Sequence, residues 1–147
     1  MNKKGITMIE LIVVMVIIAI GATLMVPSIG RWLPTYRLKG ATRDIVSVMR
    51  VAQFKAVSTN TWYRVSFNPG SNSYILQHQG SGGVWVDEGE VQAIPKGVQI
   101  NNTTFAGNVA IFYPNSTATA GTVTITNAKG SQKTIQLWGT TGRVKHG

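Results

Sequence analysis

Apolar residues crowd the start of the chain and alternate with polar ones towards its end. No side chain from Leu11 to Gly30 is charged, and Leu11 to Val26 reads LIVVMVIIAIGATLMV. At 1.5 Å per residue, Ile6 to Val26 would reach about 30 Å as a helix, the thickness of a bilayer core. Three readings compete for this stretch: a transmembrane anchor, the apolar core of a cleaved secretory signal, and a buried helix. A helix apolar on every face needs a core around it, and the chain after Gly30 is too short to supply one readily. For a secretory signal, Asn2-Lys3-Lys4 would be the basic region and Ala19-Ile20-Gly21 a small-x-small cleavage site, giving a mature chain that begins near Ala22. Glu10 is the objection, because a carboxylate in the apolar region costs up to about 2.5 to 3.5 kcal/mol on insertion scales and an ordinary signal gains nothing from it.

Beyond the run, Pro27 removes a backbone donor and is expected to kink or interrupt the helix, with Gly21 and Gly30 loosening it on either side and Pro34 adding a second weak point. Leu38, Ala41, Ile45, Val48, Met49, Ala52 and Ala56 then recur at helical spacing, which predicts an amphipathic helix from about Thr35 to Ser58 with its apolar stripe on a sheet. On the other side Lys39, Arg43 and Arg50 fall within about 40° of one another, the pattern of a solvated basic face. After Asn60 the period changes to two. Strands are expected at Trp62–Phe67, Ser73–Gln79, Val84–Val86, Val98–Thr104, Val109–Tyr113, Thr122–Thr126 and Lys133–Trp138, the first two joined by a turn at 68–72. The prediction is an α+β fold: a long N-terminal helix, half apolar and half amphipathic, packed on an antiparallel β domain of about seven short strands.

Composition narrows the function. The 147 residues carry 14 Lys and Arg against five Asp and Glu, a formal charge of +9, and no cysteine. A disulfide framework, a thiolate metal site and a cysteine nucleophile are therefore absent. No Gly-x-Ser-x-Gly elbow, P-loop or dinucleotide fingerprint occurs, so neither catalytic activity nor a cofactor is expected. Asp87, Glu88 and Glu90 could give a calcium ion some of the six to eight oxygens it takes, but no loop of ligand spacing surrounds them, and a solvated acidic turn or an acidic contact for a basic neighbour fits better. His78 and His146 lack the partner pattern of a zinc site.

The residues Lys3-Lys4-Gly5-Ile6-Thr7-Met8-Ile9-Glu10-Leu11, followed by the apolar run and Pro27, resemble the class III signal of type IV pilins and type II secretion pseudopilins. The resemblance implies a leader at residues 1–5, cleavage by a prepilin peptidase between Gly5 and Ile6, and methylation of the new Ile6 amine; family members usually carry Phe or Met at that position. It implies a transmembrane and filament-core helix at 6–30, and an amphipathic helix plus β domain at 31–147 outside the inner membrane. Charge alone does not set this orientation, since Lys3 and Lys4 precede the apolar run while Arg31, Arg37, Lys39 and Arg43 follow it. The implied partners are other pilin or pseudopilin subunits, the peptidase and an inner-membrane assembly platform, with Glu10 and Pro27 as assembly residues. Physically, the nearest positive group to Glu10 after cleavage is the Ile6 ammonium, on its own chain or a neighbour, and pairing the two offsets desolvation and fixes axial register.

A narrower resemblance lies in Ala110-Ile111-Phe112-Tyr113-Pro114-Asn115, Val123-Thr124-Ile125, Thr134-Ile135-Gln136-Leu137 and Thr141-Gly142-Arg143-Val144, which look like the H-type minor pseudopilin and FimT minor pilin group. The helix departs from that group's Ala-Arg-x-Glu-Ala stretch, reading Ala52-Gln53-Phe54-Lys55-Ala56. The absence of cysteine excludes the disulfide-closed loop common in major pilins. The expected function is a non-catalytic minor subunit of a type II secretion pseudopilus or type IV pilus. The alternative is DNA binding for uptake, because Gly142-Arg143-Val144-Lys145 resembles the Gly-Arg-x-Arg motif of DNA-binding FimT proteins. Two cations two residues apart on a strand point to one face and could straddle phosphates, with Lys129, Lys133 and Trp138 adding charge and a stacking surface. Against it stands the plainer reading of a basic terminus that closes the last strand.

Overall fold

A computed structural model describes residues 6–147, apart from the side chains of residues 24–29 and 31. Gly5 thus lies outside the described residues, as does the Pro27 side chain. The chain divides into two compact units, Met1–Leu33 and Pro34–Gly147. One helix, α1 (Met8–Ser58), contributes to both. Helical backbone continues through Pro27 and Pro34, which corrects the expected interruption and the expected second helix starting near Thr35. Each proline removes a single i→i−4 hydrogen bond, and the turns before and after it keep theirs.

In the N-terminal unit the helix starts from a local capping arrangement. Thr7 Oγ1 accepts a hydrogen bond from the Glu10 N–H at 3.4 Å, and the Thr7 carbonyl accepts from the Leu11 N–H at 3.2 Å. Thr7-x-x-Glu10 has the spacing of a capping box, and its carboxylate lies in the first turn, where the helix dipole favours an anion. Every side chain from Ile6 to Thr23 is exposed. Among the described residues no helix is long and apolar enough to cross a membrane; the described side chains of the apolar run stop at Thr23, short of its end at Val26.

The C-terminal unit holds nine short strands: β1 (Tyr63–Asn68), β2 (Ser73–Gln79), β3 (Trp85–Asp87), β4 (Gln92–Ala93), β5 (Val98–Thr103), β6 (Val109–Phe112), β7 (Gly121–Asn127), β8 (Gln132–Leu137) and β9 (Val144–His146). Two more strands form than the expected seven or so. β4 and β9 are two and three residues long, too short for alternation to show, and each exists because a longer neighbour, β2 or β8, offers it a hydrogen-bonding edge. All pairings are antiparallel. One sheet runs β3-β2-β1-β6 with β4 also on β2, and the other β5-β7-β8-β9.

The α1 stripe supplies Leu38, Ala41, Ile45, Met49, Ala52 and Ala56 to the core, the last four fully enclosed. Val46 is buried in place of the expected Val48, which is only half-covered. Against this stripe lie Tyr63, Val65, Phe67, Ala110 and Phe112 of the first sheet and Val98, Val123, Ile125, Ile135 and Leu137 of the second, all in one cluster. Ala52 and Ala56 keep this part of the helix narrow, so the sheet residues can approach its backbone.

Asn72, in the β1–β2 turn, ties the two sheets together. Its backbone sits at φ 52, in the left-handed region that Asn tolerates. The side-chain amide donates to the Val98 carbonyl at 2.6 Å and accepts from the Ile100 N–H at 2.9 Å, standing in for a strand partner along β5.

Candidate functional site

Glu10, Leu11, Val14, Met15 and Ile18 of α1 line one recess together with Ile6, just ahead of the helix. Ile6 is 75% exposed and Met8 85%. A helix that is apolar on all sides and bare in the single chain calls for lipid or neighbouring helices to cover it. Glu10 is the lone acid on this stretch.

At the other end of the chain the four basic candidates separate. Arg143 and Lys145 lie together, both exposed, around a recess of about 410 Å³ that Trp138 also lines. Lys133 is half-buried on the inward side of β8 and belongs to a second recess with Lys39, Arg43 and His146. Lys129 sits in the β7–β8 turn, its N–H donating to Asn127 Oδ1 at 3.0 Å, at the end of β8 away from Trp138.

The loop that carries Arg143 has a structural reason for its sequence. Gly142 is buried at φ 58, and a Cβ there would lie 2.7 Å from the Ser116 carbonyl oxygen and against the Gln53 amide. Gln53 Nε2 donates to the Thr141 carbonyl at 3.2 Å, and the Trp138 N–H donates to the Arg143 carbonyl at 3.0 Å. Val144 then turns inward and is 8% exposed. Thr141-Gly142-Arg143-Val144 closes the domain.

The acidic segment also resolves into separate contacts. Asp87 accepts from Gln77 Nε2 at 2.6 Å. Glu88 turns inward to the Lys55 ammonium, with His78 Nδ1 at 3.5 Å from its second oxygen. Desolvation pushes the Glu88 carboxyl up, but hydrogen bonds from Lys55 and Tyr63 outweigh it and hold the group below its ordinary value. The same hydrogen bond raises the Lys55 ammonium. This cluster joins α1 to β1, β2 and the segment after β3. Sequence reading missed it, since Lys55 and Glu88 are 33 residues apart. Across the helix from the basic residues, Tyr74 is pushed up to about 12, by burial first and then by the Asp44 carboxylate. Among the described residues no three His, Asp or Glu side chains gather as metal ligands would.

With this geometry in place, the type II transport protein GspH family model matches residues 41–141. The chain belongs to the GspH family. The prokaryotic N-terminal methylation motif matches residues 1–26 of this GspH-family chain. Its fold is similar to that of the minor pseudopilin EpsH from the type 2 secretion system of Vibrio cholerae, with TM-score 0.65, 10% identity, and 75% of this chain and 95% of that one covered. The solution structure of E. coli GspH gives TM-score 0.64 at 12% identity over 80% of this chain and 93% of that one. The type IV minor pilin FimU of Pseudomonas aeruginosa gives 0.62 at 13% identity over 76% and 88%. No protein of curated function matches by sequence.

At such identities the structural likeness speaks for the fold; membership in the GspH family and the methylation motif speak for the role. The GspH-family chain is a type IV pilin-like structural subunit, of the minor pseudopilin and minor pilin type, as the N-terminal residues led one to expect. DNA binding finds no support in the family or in the matched structures.

Proposed function

We propose that the chain enters a type II secretion pseudopilus, or a type IV pilus, as a non-catalytic minor subunit held first in the inner membrane as a single-pass protein. A prepilin peptidase removes residues 1–5 between Gly5 and Ile6, and the Ile6 amine is methylated. Residues 6–30 serve as membrane anchor and then as filament core, with Pro27 as an assembly residue, while residues 31–147 stand in the periplasm. An inner-membrane assembly platform transfers the subunit from lipid to filament. The observation that carries this reading is an uncovered, all-apolar helix whose acid, Glu10, lies in the first turn, on a segment matching the N-terminal methylation motif.

In the filament, Glu10 neutralises the N-terminal ammonium of an adjacent subunit. In a low-dielectric bundle an unpaired carboxylate there costs several kcal/mol, so registers that leave it unpaired are disfavoured. Glu10→Ala is expected to leave the chain in the membrane fraction but largely missing from sheared filaments or pseudopili. Incorporation at the wild-type level would refute this role for Glu10. N-terminal sequencing of the mature chain tests the processing step, with a start at Ile6 expected and a start near Ala22 excluding it.

A further inference from the structure

Lys39 and Arg43 of α1, Lys133 of β8 and His146 of β9 line one recess of about 220 Å³, together with the buried Thr42. Lys39 and Arg43 are four residues apart on one helical face, a spacing at which like charges repel. Lys133 stands opposite Ile125 in the β7–β8 register, and His146 opposite Ile135 in the β8–β9 register. Residues directly opposite in antiparallel strands share a face, and both isoleucines are fully buried, so Lys133 and His146 lie on the helix-facing side of their sheet. Alternation gives that side to core residues, yet here it carries a half-buried lysine.

None of the chain's five acids lines this recess, and the ion pairs among the described residues, Lys55–Glu88 and His78–Glu88, lie elsewhere. Thr42 brings no donor to it, because its hydroxyl donates to the Leu38 carbonyl at 2.7 Å. Three permanent cations from two elements, with a histidine from a third, thus face a common space, and the chain sets no carboxylate among them. Holding them there costs free energy that an anion in the recess offsets.

We propose that this recess is a binding site for a dianionic phosphate group, supplied by inorganic phosphate or by the terminal phosphate of a lipid. A group of this kind carries about −1.5 to −2 charges near neutral pH and three strong acceptor oxygens. Cations converging from separate elements match it, whereas a lone carboxylate brings a single charge and two oxygens. The Arg43 fork takes two of the phosphate oxygens, and the Lys39 and Lys133 ammoniums act beside it as point charges. A nucleic acid strand asks for a track of cations along its backbone. Arg143 and Lys145 line a different recess, so the site suits one phosphate group. None of its residues takes part in the processing or assembly steps above, and the site stands or falls independently of the filament reading.

The test uses the full chain in phosphatidylcholine nanodiscs. Amine acetylation followed by mass spectrometry reads each lysine, with the exposed Lys96 and Lys145 as references. Against sodium chloride of equal ionic strength, which accounts for general screening, inorganic phosphate is expected to slow acetylation at Lys39 and Lys133 and to spare the references. If the source is a lipid, replacing part of the phosphatidylcholine by phosphatidic acid protects the same two lysines, and free phosphate does not. Lys133→Gln is expected to weaken the protection of Lys39 about tenfold, through loss of one charge-assisted hydrogen bond. Because that substitution also relieves repulsion, its urea midpoint in chloride should equal or exceed the wild-type value, separating lost binding from lost fold. Lys39→Gln, on the exposed side of α1 and read at Lys133, gives the same test from the helix. Equal slowing of all lysines by both salts, protection by a DNA oligonucleotide but by neither phosphate nor phosphatidic acid, or full protection of Lys39 in Lys133→Gln would each overturn the proposal.

Discussion

Replacing Gly142 by Ala should destabilise the domain by about 2 to 5 kcal/mol, and the structure divides that loss into two parts. The first is conformational: at φ 58 the residue is in the left-handed region, where a Cβ costs about 1 to 2 kcal/mol. The second is steric. The new Cβ would sit 2.7 Å from the Ser116 carbonyl oxygen, in a turn that hydrogen bonds from Ser116 to Tyr113 and from Tyr113 to Thr117 hold in place. Overpacking against such backbone costs about 1 to 3 kcal/mol. The Cβ also meets the Gln53 amide, which can swing aside only by giving up its 3.2 Å bond to the Thr141 carbonyl.

Gly130 is the internal control. It has φ +80 and open space where a Cβ would go, so Gly130→Ala carries the conformational cost without the steric one. Urea unfolding of the full chain in mild detergent, followed by tryptophan fluorescence, should place Gly142→Ala below Gly130→Ala by at least about 1 kcal/mol. Adding Gln53→Ala should recover little of that gap, because the Ser116 oxygen is backbone. Equal midpoints for the two glycine variants would refute the close-approach argument.

Two further substitutions test the links between elements. Asn72→Ala removes both hydrogen bonds that join the β1–β2 turn to β5 and leaves the Val98 carbonyl and the Ile100 N–H without their partner, an expected loss of about 2 to 4 kcal/mol with faster amide exchange at Ile100. Glu88→Gln should cost about 0.5 to 1 kcal/mol near neutral pH, because the Lys55 side chain is 37% exposed and solvent screens the pair. The folded Glu88 carboxyl lies below its unfolded value, so its contribution is complete above about pH 4.3, fades as pH falls through the folded value, and the wild type and variant should converge in acid melts. The raised Lys55 ammonium gives the mirror case, with stability present below about pH 10.4 and lost as pH rises through the folded value.

The parts legible in the sequence were those written in local spacing. The N-terminal methylation motif, matched at residues 1–26, is carried by residues at fixed intervals beside an uncharged run and needs no tertiary structure to be read. The stripe from Leu38 to Ala56 repeats at helical period and marks the buried face, missing only the exchange of Val46 for Val48 at its margin. Contacts between distant residues were hidden. Asn72 reads as a turn residue, and nothing nearby reveals that its amide completes β5 from 26 and 28 residues away. Lys39 and Arg43 read as a solvated stripe because Lys133 and His146 reach them only after β8 and β9 are laid beside the helix.

In the C-terminal tail, packing accounts for part of a short motif and leaves the rest to the surface. Strand alternation sends Val144 into the core and Arg143 and Lys145 outward. Gly142 is required by a backbone that passes within reach of Ser116 and Gln53, whatever the tail binds. Packing thus fixes Gly142 and Val144, and the positions it leaves free are the outward ones. Those are the residues a phosphate would meet, and here one of them is Lys145, which supplies charge without the bidentate fork of an arginine. The chemistry of this surface is carried by the positions the packing does not fix.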